Sequence, residues 1–181
     1  MSLRGLQRVF GVWRSTVLRW LRQLLARLPS LTDTLLPPQA DDVLEMDEMM
    51  SFVSEKFFKR WLWTVMCRRT RQILAYAIGD RSETTARHLW DALPEAYRSF
   101  PIYTDDFNVY PTFIPDTQHH PLPKGGGQTN HQERFYNTLR QWTGRYTRRT
   151  LSFSKEDYYH DLVTRWFLID HNLRMRLSLT L

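Results

Sequence analysis

Cysteine is almost missing: Cys67 stands alone among 181 residues, so neither a disulfide within the chain nor a cysteine-based zinc site can form. No run of about 18 apolar residues occurs, as a membrane-spanning helix would need. Arginines interrupt the opening apolar residues too often for a signal peptide, so a reducing cytoplasm is the expected compartment. Internal repeats are absent too. Acid is missing from residues 1–30, which carry Arg4, Arg8, Arg14, Arg19, Arg22 and Arg27. The remainder holds 19 basic and 19 acidic residues, so the whole net charge of +6 sits at the N-terminus. Such a segment seeks phosphates or anionic lipid.

What is present argues a folded chain: 42% hydrophobic residues, with seven Trp, eight Tyr and ten Phe, at a length suited to one domain with a small appendage. Residues 3–28 read as two helices around Gly11 and Val12. Val9, Val12, Val17, Leu18, Leu21 and Leu25 form their apolar seam, and Ser15 or Thr16 caps the second helix. This is helix-turn-helix grammar, in which Arg14, Ser15, Thr16 and Arg19 face a DNA groove. A membrane-surface helix and a plain helical hairpin are the competing readings. Two adjacent prolines and a switch from basic to acidic residues mark 31–42 as a linker, leaving 1–30 as a DNA-binding segment and 43–181 as the main domain.

In that domain VLEMDEMMSFV, RWLWTVMCR and RQILAYAIGD read as a three-stranded meander. A helix opens at Ser82 and Glu83, and SFPIYTDD gives a fourth strand ending in Asp105 and Asp106. A further strand is expected near Thr117 to Leu122, followed by a helix from residue 129 and a terminal helix capped by Ser154. Residues 124–155 hold seven Lys or Arg against one acid, Glu133. Helical winding puts Phe135, Leu139, Trp142 and Tyr146 on one stripe and Asn130, Glu133, Asn137 and Arg140 on another. The first stripe is expected to bury, and the second to work or to be merely solvated. The adjacent His119 and His120 have no third ligand at useful spacing, and Cys67 reads as a small buried hydrophobe.

Acids inside an apolar strand are costly unless compensated, yet Glu45, Asp47 and Glu48 sit in the first strand and Asp105 closes the fourth. The order of strands and helices predicts an α/β, ribonuclease H-like mixed sheet with flanking helices, in which the first strand lies beside the fourth. Asp47 then neighbours Asp105, and Glu133 closes a triangle of hard oxygen ligands suited to Mg²⁺ or Mn²⁺. Two such ions support in-line phosphoryl transfer.

The strings EMDEMMSFV, GDRS, YTDDF, TNHQERFYNTLRQ and RRTLSFSK, in order, resemble the DDE transposases of the InsB type, the insertion sequence one family, over residues 3–172. The resemblance implies Asp47, Asp105 and Glu133 as catalytic, metal-binding acids, with 57 and 27 residues between them, and selects Asp47 over Glu48, which the pleat alone leaves open. It implies two Mg²⁺ or Mn²⁺ ions, double-stranded DNA (transposon ends and target) as partner, a homo-oligomer on DNA, no membrane, and a nucleoid-associated place in the cytoplasm. Arg145, Arg148 and Arg149 join Asn130, Asn137 and Arg140 as expected DNA contacts. Met50 and Phe107 replace the family's usual Trp, and IDHNL replaces its HHYN. The family's Cys-based zinc segment does not precede the helix pair, so a truncated or divergent copy is expected. A transposase-derived binding protein and another ribonuclease H-like nuclease stay open beside the transposase reading.

Overall fold

The computed structural model describes residues 3–123, 129–147 and 152–180. Its sheet is built from β1 (Leu44–Phe52), β2 (Lys59–Cys67), β3 (Ile73–Gly79), β4 (Ile102–Asp105) and β5 (His119–Leu122), in the order β3-β2-β1-β4-β5. β2 runs antiparallel to β1 and β3, whereas β4 is parallel to β1 and β5 to β4. With helices on its faces this is the expected ribonuclease H-like α/β arrangement, with β1 beside β4.

The strands read as continuous apolar runs because both faces are covered. On one face Leu44, Met46, Trp63 and Val65 pack with Ala86 and Leu89 of α3 (Glu83–Ala92). On the other Met49, Leu62, Met66 and Ile73 pack against Phe135, Tyr136 and Leu139 of α4 (Asn130–Trp142) and Leu168 of α5 (Asp157–Thr180). α3 starts at the Ser82 cap, whose hydroxyl accepts from the Thr85 amide. It lies so close to the end of β3 that a Cβ on Gly79 would collide with the Thr85 side chain.

Buried amides dock α5. The Asn172 side chain accepts from Ile73 N at 2.7 Å and donates to Ile73 O at 2.8 Å and Thr34 Oγ1 at 3.0 Å. Gln72 Nε2 likewise donates to Thr34 O, and Gln72 Oε1 accepts from Leu36 N. The segment read as a linker, 31–42, is therefore fastened to the sheet's edge, and its acid Asp42 is gripped by Arg69 at 2.6 and 2.9 Å.

Four expectations are corrected. Ser154 does not cap the terminal helix, which begins at Asp157; it forms an isolated bridge with Val53, and its hydroxyl bonds His160 Nδ1 at 3.0 Å. The apolar stripe of α4 stops at Leu139. Trp142 is 63% exposed with Arg174 over its ring, and Tyr146 is buried from a separate 3₁₀ turn after the helix has ended. At the N-terminus α1 (Leu3–Phe10) and α2 (Arg14–Leu25) form as expected around Gly11 at φ +65°. However, the left-handed turn returns the chain to helix at Arg14, so Trp13 is the cap residue and Ser15 and Thr16 lie inside the first turn. The seam is only partly closed, with Leu25 buried but Val9 64% exposed. Arg22 of α2 donates to the Tyr159 hydroxyl of α5 and stacks on its ring.

Candidate metal centre

The pleat of β1 turns Glu45 and Asp47 toward α4 and Glu48 toward α3 and the 107–114 loop. The parallel register pairs Glu45 with Tyr103, so two residues further on Asp47 comes level with Asp105. Ligand oxygens of Asp47, Glu48 and Asp105 lie within 4.8 Å of one another.

Each acid is held differently. Glu48 is buried and clamped: Arg81 donates to Oε1 at 2.9 and 2.5 Å, and the Tyr110 hydroxyl donates to Oε2 at 2.5 Å. Arg81 in turn lies 3.9 Å above the Phe107 ring and 4.8 Å from that of Trp61. Asp105 accepts from Phe107 N at 3.2 Å, which turns the chain out of the sheet, and Asp106 beyond it is exposed. Asp47 accepts from Glu48 N at 2.8 Å. Burial, then the negative charges of Glu48, Asp105 and Glu133, push its carboxyl up to about 8. Glu48 has its cation in Arg81, but Asp47 faces acids without one, and a divalent cation bound to hard oxygens supplies the missing charge. The donor set therefore fits Mg²⁺ or Mn²⁺.

Glu133 stands apart from the three clustered acids, exposed in the first turn of α4. Its place is fixed by neighbours that bolt α4 to the sheet. Gln132 donates to Glu45 O at 3.0 Å and Thr64 O at 2.8 Å, and the Tyr136 hydroxyl donates to Asp47 O at 2.7 Å. The structure thus brings Asp47 and Asp105 together, adds Glu48, and sets Glu133 on the rim, near enough for its charge to act on Asp47.

Among the other candidates, Asn130 and Asn137 are exposed and Arg140 half-buried on the Glu133 side of α4. Arg145 is half-buried and donates to Ser154 Oγ at 2.9 Å. Arg148 and Arg149 lie outside the described residues. Arg14, Ser15 and Arg19 are exposed on α2, with Thr16 half-buried. His119 bonds Thr104 and His120 stacks on Tyr103, while Cys67 is fully buried. The sequence pattern passed over Arg81, Tyr110 and Gln132. Arg81 had a signal in the GDRS string, a lone cation in the turn directly after an apolar strand; Tyr110 and Gln132 sit among many aromatic and amide residues and had none.

The sequence model of the IS1 transposase family matches residues 42–174. The insertion element iso-IS1n protein InsB of Shigella dysenteriae is 33% identical over 129 residues, 71% of this chain and 95% of that protein. The insertion element IS1 protein InsB of Shigella flexneri is 32% identical over 124 residues, covering 68% and 92%. The insertion element IS1 1 protein InsB of Escherichia coli K12 is 28% identical over 162 residues, covering 88% and 92%. No described helix is long and apolar enough to cross a membrane.

Proposed function

We propose that this chain, which belongs to the IS1 transposase family, cleaves and transfers DNA strands at insertion-sequence ends in a metal-dependent reaction. The observation that carries the reading is the convergence of the half-buried Asp47 and Asp105 from adjacent parallel strands, where acids and no cation act on the Asp47 carboxyl. Asp47, Asp105 and Glu133 would hold two Mg²⁺ or Mn²⁺ ions, which would supply activation of a water or a 3′-hydroxyl and stabilisation of the leaving oxygen in an in-line displacement. Glu48, clamped by Arg81 and Tyr110, ties the middle of β1 to the elements on its other face and adds to the negative field around Asp47.

In this division of labour residues 1–30 approach the DNA through Arg14, Ser15, Thr16 and Arg19. Residues 43–181 process it, with Asn130, Asn137, Arg140 and Arg145 beside the acids on the backbone. Arg148 and Arg149 extend the same basic run in sequence. The partner is double-stranded DNA, at transposon ends and target, bound by a homo-oligomer in the nucleoid.

Asp47→Asn, Asp105→Asn and Glu133→Gln should each reduce Mg²⁺- or Mn²⁺-dependent nicking of a plasmid carrying the element ends to background, with duplex affinity retained. A variant nicking at the parent rate removes that residue from the centre. A parent protein that binds the ends yet nicks with neither ion is instead a transposase-derived binding protein.

A further inference from the structure

Two adjoining cavities of about 520 and 540 Å³ lie between α4 and α5, sharing Trp142, Phe167, Asp170 and Arg174. Each falls in the size range of small-ligand sites. They sit about half a turn around α4 from Glu133, because Arg134, Thr138 and Trp142 share the flank opposite that residue. Trp142 is 63% exposed, and Arg174 covers one side of its ring at 4.8 Å. Trp166, 40% exposed, lines the second cavity.

The charge around the first cavity is cationic. Arg71, Arg134 and Arg174 line it against the single carboxylate of Asp170, which Arg174 engages at 2.8 Å. Arg71 Nη1 is buried with no hydrogen-bond partner among the described residues. Glu45 partly offsets the charge of Arg71, but this N–H itself has no acceptor, and a buried donor left this way is costly unless a ligand supplies one. Exposed indoles beside arginines form the surface on which single-stranded nucleic acid is held, since every base has a face to stack and every nucleotide a phosphate.

We infer that this trough binds an unpaired DNA strand, one base stacking on Trp142 and its phosphate meeting Arg71 and Arg134. The inference rests on the transposase reading and extends it. One helix diameter, about 10–12 Å, separates the trough from Glu133, so a strand frayed by a few nucleotides at the acids reaches it around α4.

The test is fluorescence anisotropy with labelled oligothymidylate of twelve nucleotides and a random duplex of the same length, using the full chain. Trp142→Ala, and separately Arg134→Gln with Arg174→Gln, should weaken single-strand binding about tenfold, within the range of base–aromatic stacking, and change duplex binding less than twofold. Trp142→Tyr should restore most of the loss. Equal losses on both probes, or no loss on either, overturn the assignment. Thymidine monophosphate that binds the trough more tightly than the oligonucleotide would make a free nucleotide the occupant, which also overturns it. Metal-dependent nicking of the element ends by the parent reports on the transposase reading separately, so the two can fail independently.

Discussion

Glu45 and Asp47 stand two residues apart on the same face of the same strand, and both are withdrawn from water, yet their surroundings are opposite. Glu45 is fully buried but receives Arg68 at 2.8 Å, His131 at 2.5 Å and the Gln132 amide at 3.2 Å. Asp47 receives one backbone amide and faces three further acids. Burial raises both carboxyls above their usual range, and only for Glu45 do cationic partners stand against it. A compensated buried acid ties elements together; here Glu45 joins β1, the β2–β3 turn and the start of α4. An uncompensated one represents free energy held in reserve for a ligand.

The sharpest way to break this comparison is to reverse each acid's condition and measure stability by urea unfolding in chelator. Arg68→Met leaves Glu45 buried with less compensation. It should cost about 2–4 kcal/mol, below the loss for a fully buried pair because Arg68 is partly exposed. Asp47→Asn should move the other way. A carboxyl whose folded pKa is raised loses stability as pH climbs from its unfolded value near 4 toward 8. The Asn variant escapes that loss and should gain about 2–4 kcal/mol at pH 7, at about 1.4 kcal/mol per pKa unit. Destabilisation by both substitutions would remove the distinction.

The same pair marks where the sequence stops being legible. Apolar runs, turn residues and the Ser82 cap were enough to place all five strands and α3, because these are local signals. Acids in an apolar strand announced a site. Nothing local said that Arg68 and His131 reach Glu45, or that Arg81 and Tyr110 reach Glu48, since those partners come from turns and loops whose approach the tertiary fold decides. Trp142 fails for a related reason: helical winding gives a stripe its direction but not the point at which the covering element ends. Asn172 was legible as part of the IDHNL string, at a position the resemblance covers, but its role in clamping the edge of β3 depends on a contact 99 residues away in sequence.

His160 offers a smaller, independent check on what burial does to a charge. It is fully buried between Ser51 Oγ and Ser154 Oγ, at 3.0 Å on each ring nitrogen, and against the Tyr146 ring. Burial, followed by the Arg145 charge, brings it down to about 4, against the opposing effect of Asp157. A base with a depressed folded pKa stays neutral in the native state while the unfolded chain takes up the proton. Its stabilisation is therefore intact above pH 6.5 and lost as pH falls toward 4. Asp47 titrates with the opposite sign, so the measurement belongs in the Asp47→Asn background. There, the change in stability between pH 7 and pH 4.5 should be about 2–3 kcal/mol more unfavourable with His160 than with His160→Gln, at about 1.4 kcal/mol per pKa unit, a difference in which the raised Glu45 and Glu48 carboxyls cancel.

The weakest expected effect carries the contrast between satisfied and unsatisfied charge to the N-terminal helices. Arg22 is engaged with the Tyr159 hydroxyl and ring, whereas Arg14 and Arg19 lie exposed on α2 near the Gly11 turn. If engaged charge builds the fold and free charge meets the ligand, then the free arginines should contact phosphates and release counterions. The dependence of duplex binding on salt then has a slope of about 0.9 for each phosphate neutralised. Arg14→Ala with Arg19→Ala should lower that slope by about two and weaken binding to all sequences alike, because phosphate contacts position a protein without reading bases. Arg22→Ala should leave the slope within about half a unit of the parent, less than one phosphate contact is worth, while loosening the attachment of α2 to α5. If Arg22→Ala takes the larger share of the slope, the Tyr159 contact does not occupy that arginine, and engagement within the fold is no guide to which of the six N-terminal arginines meet DNA.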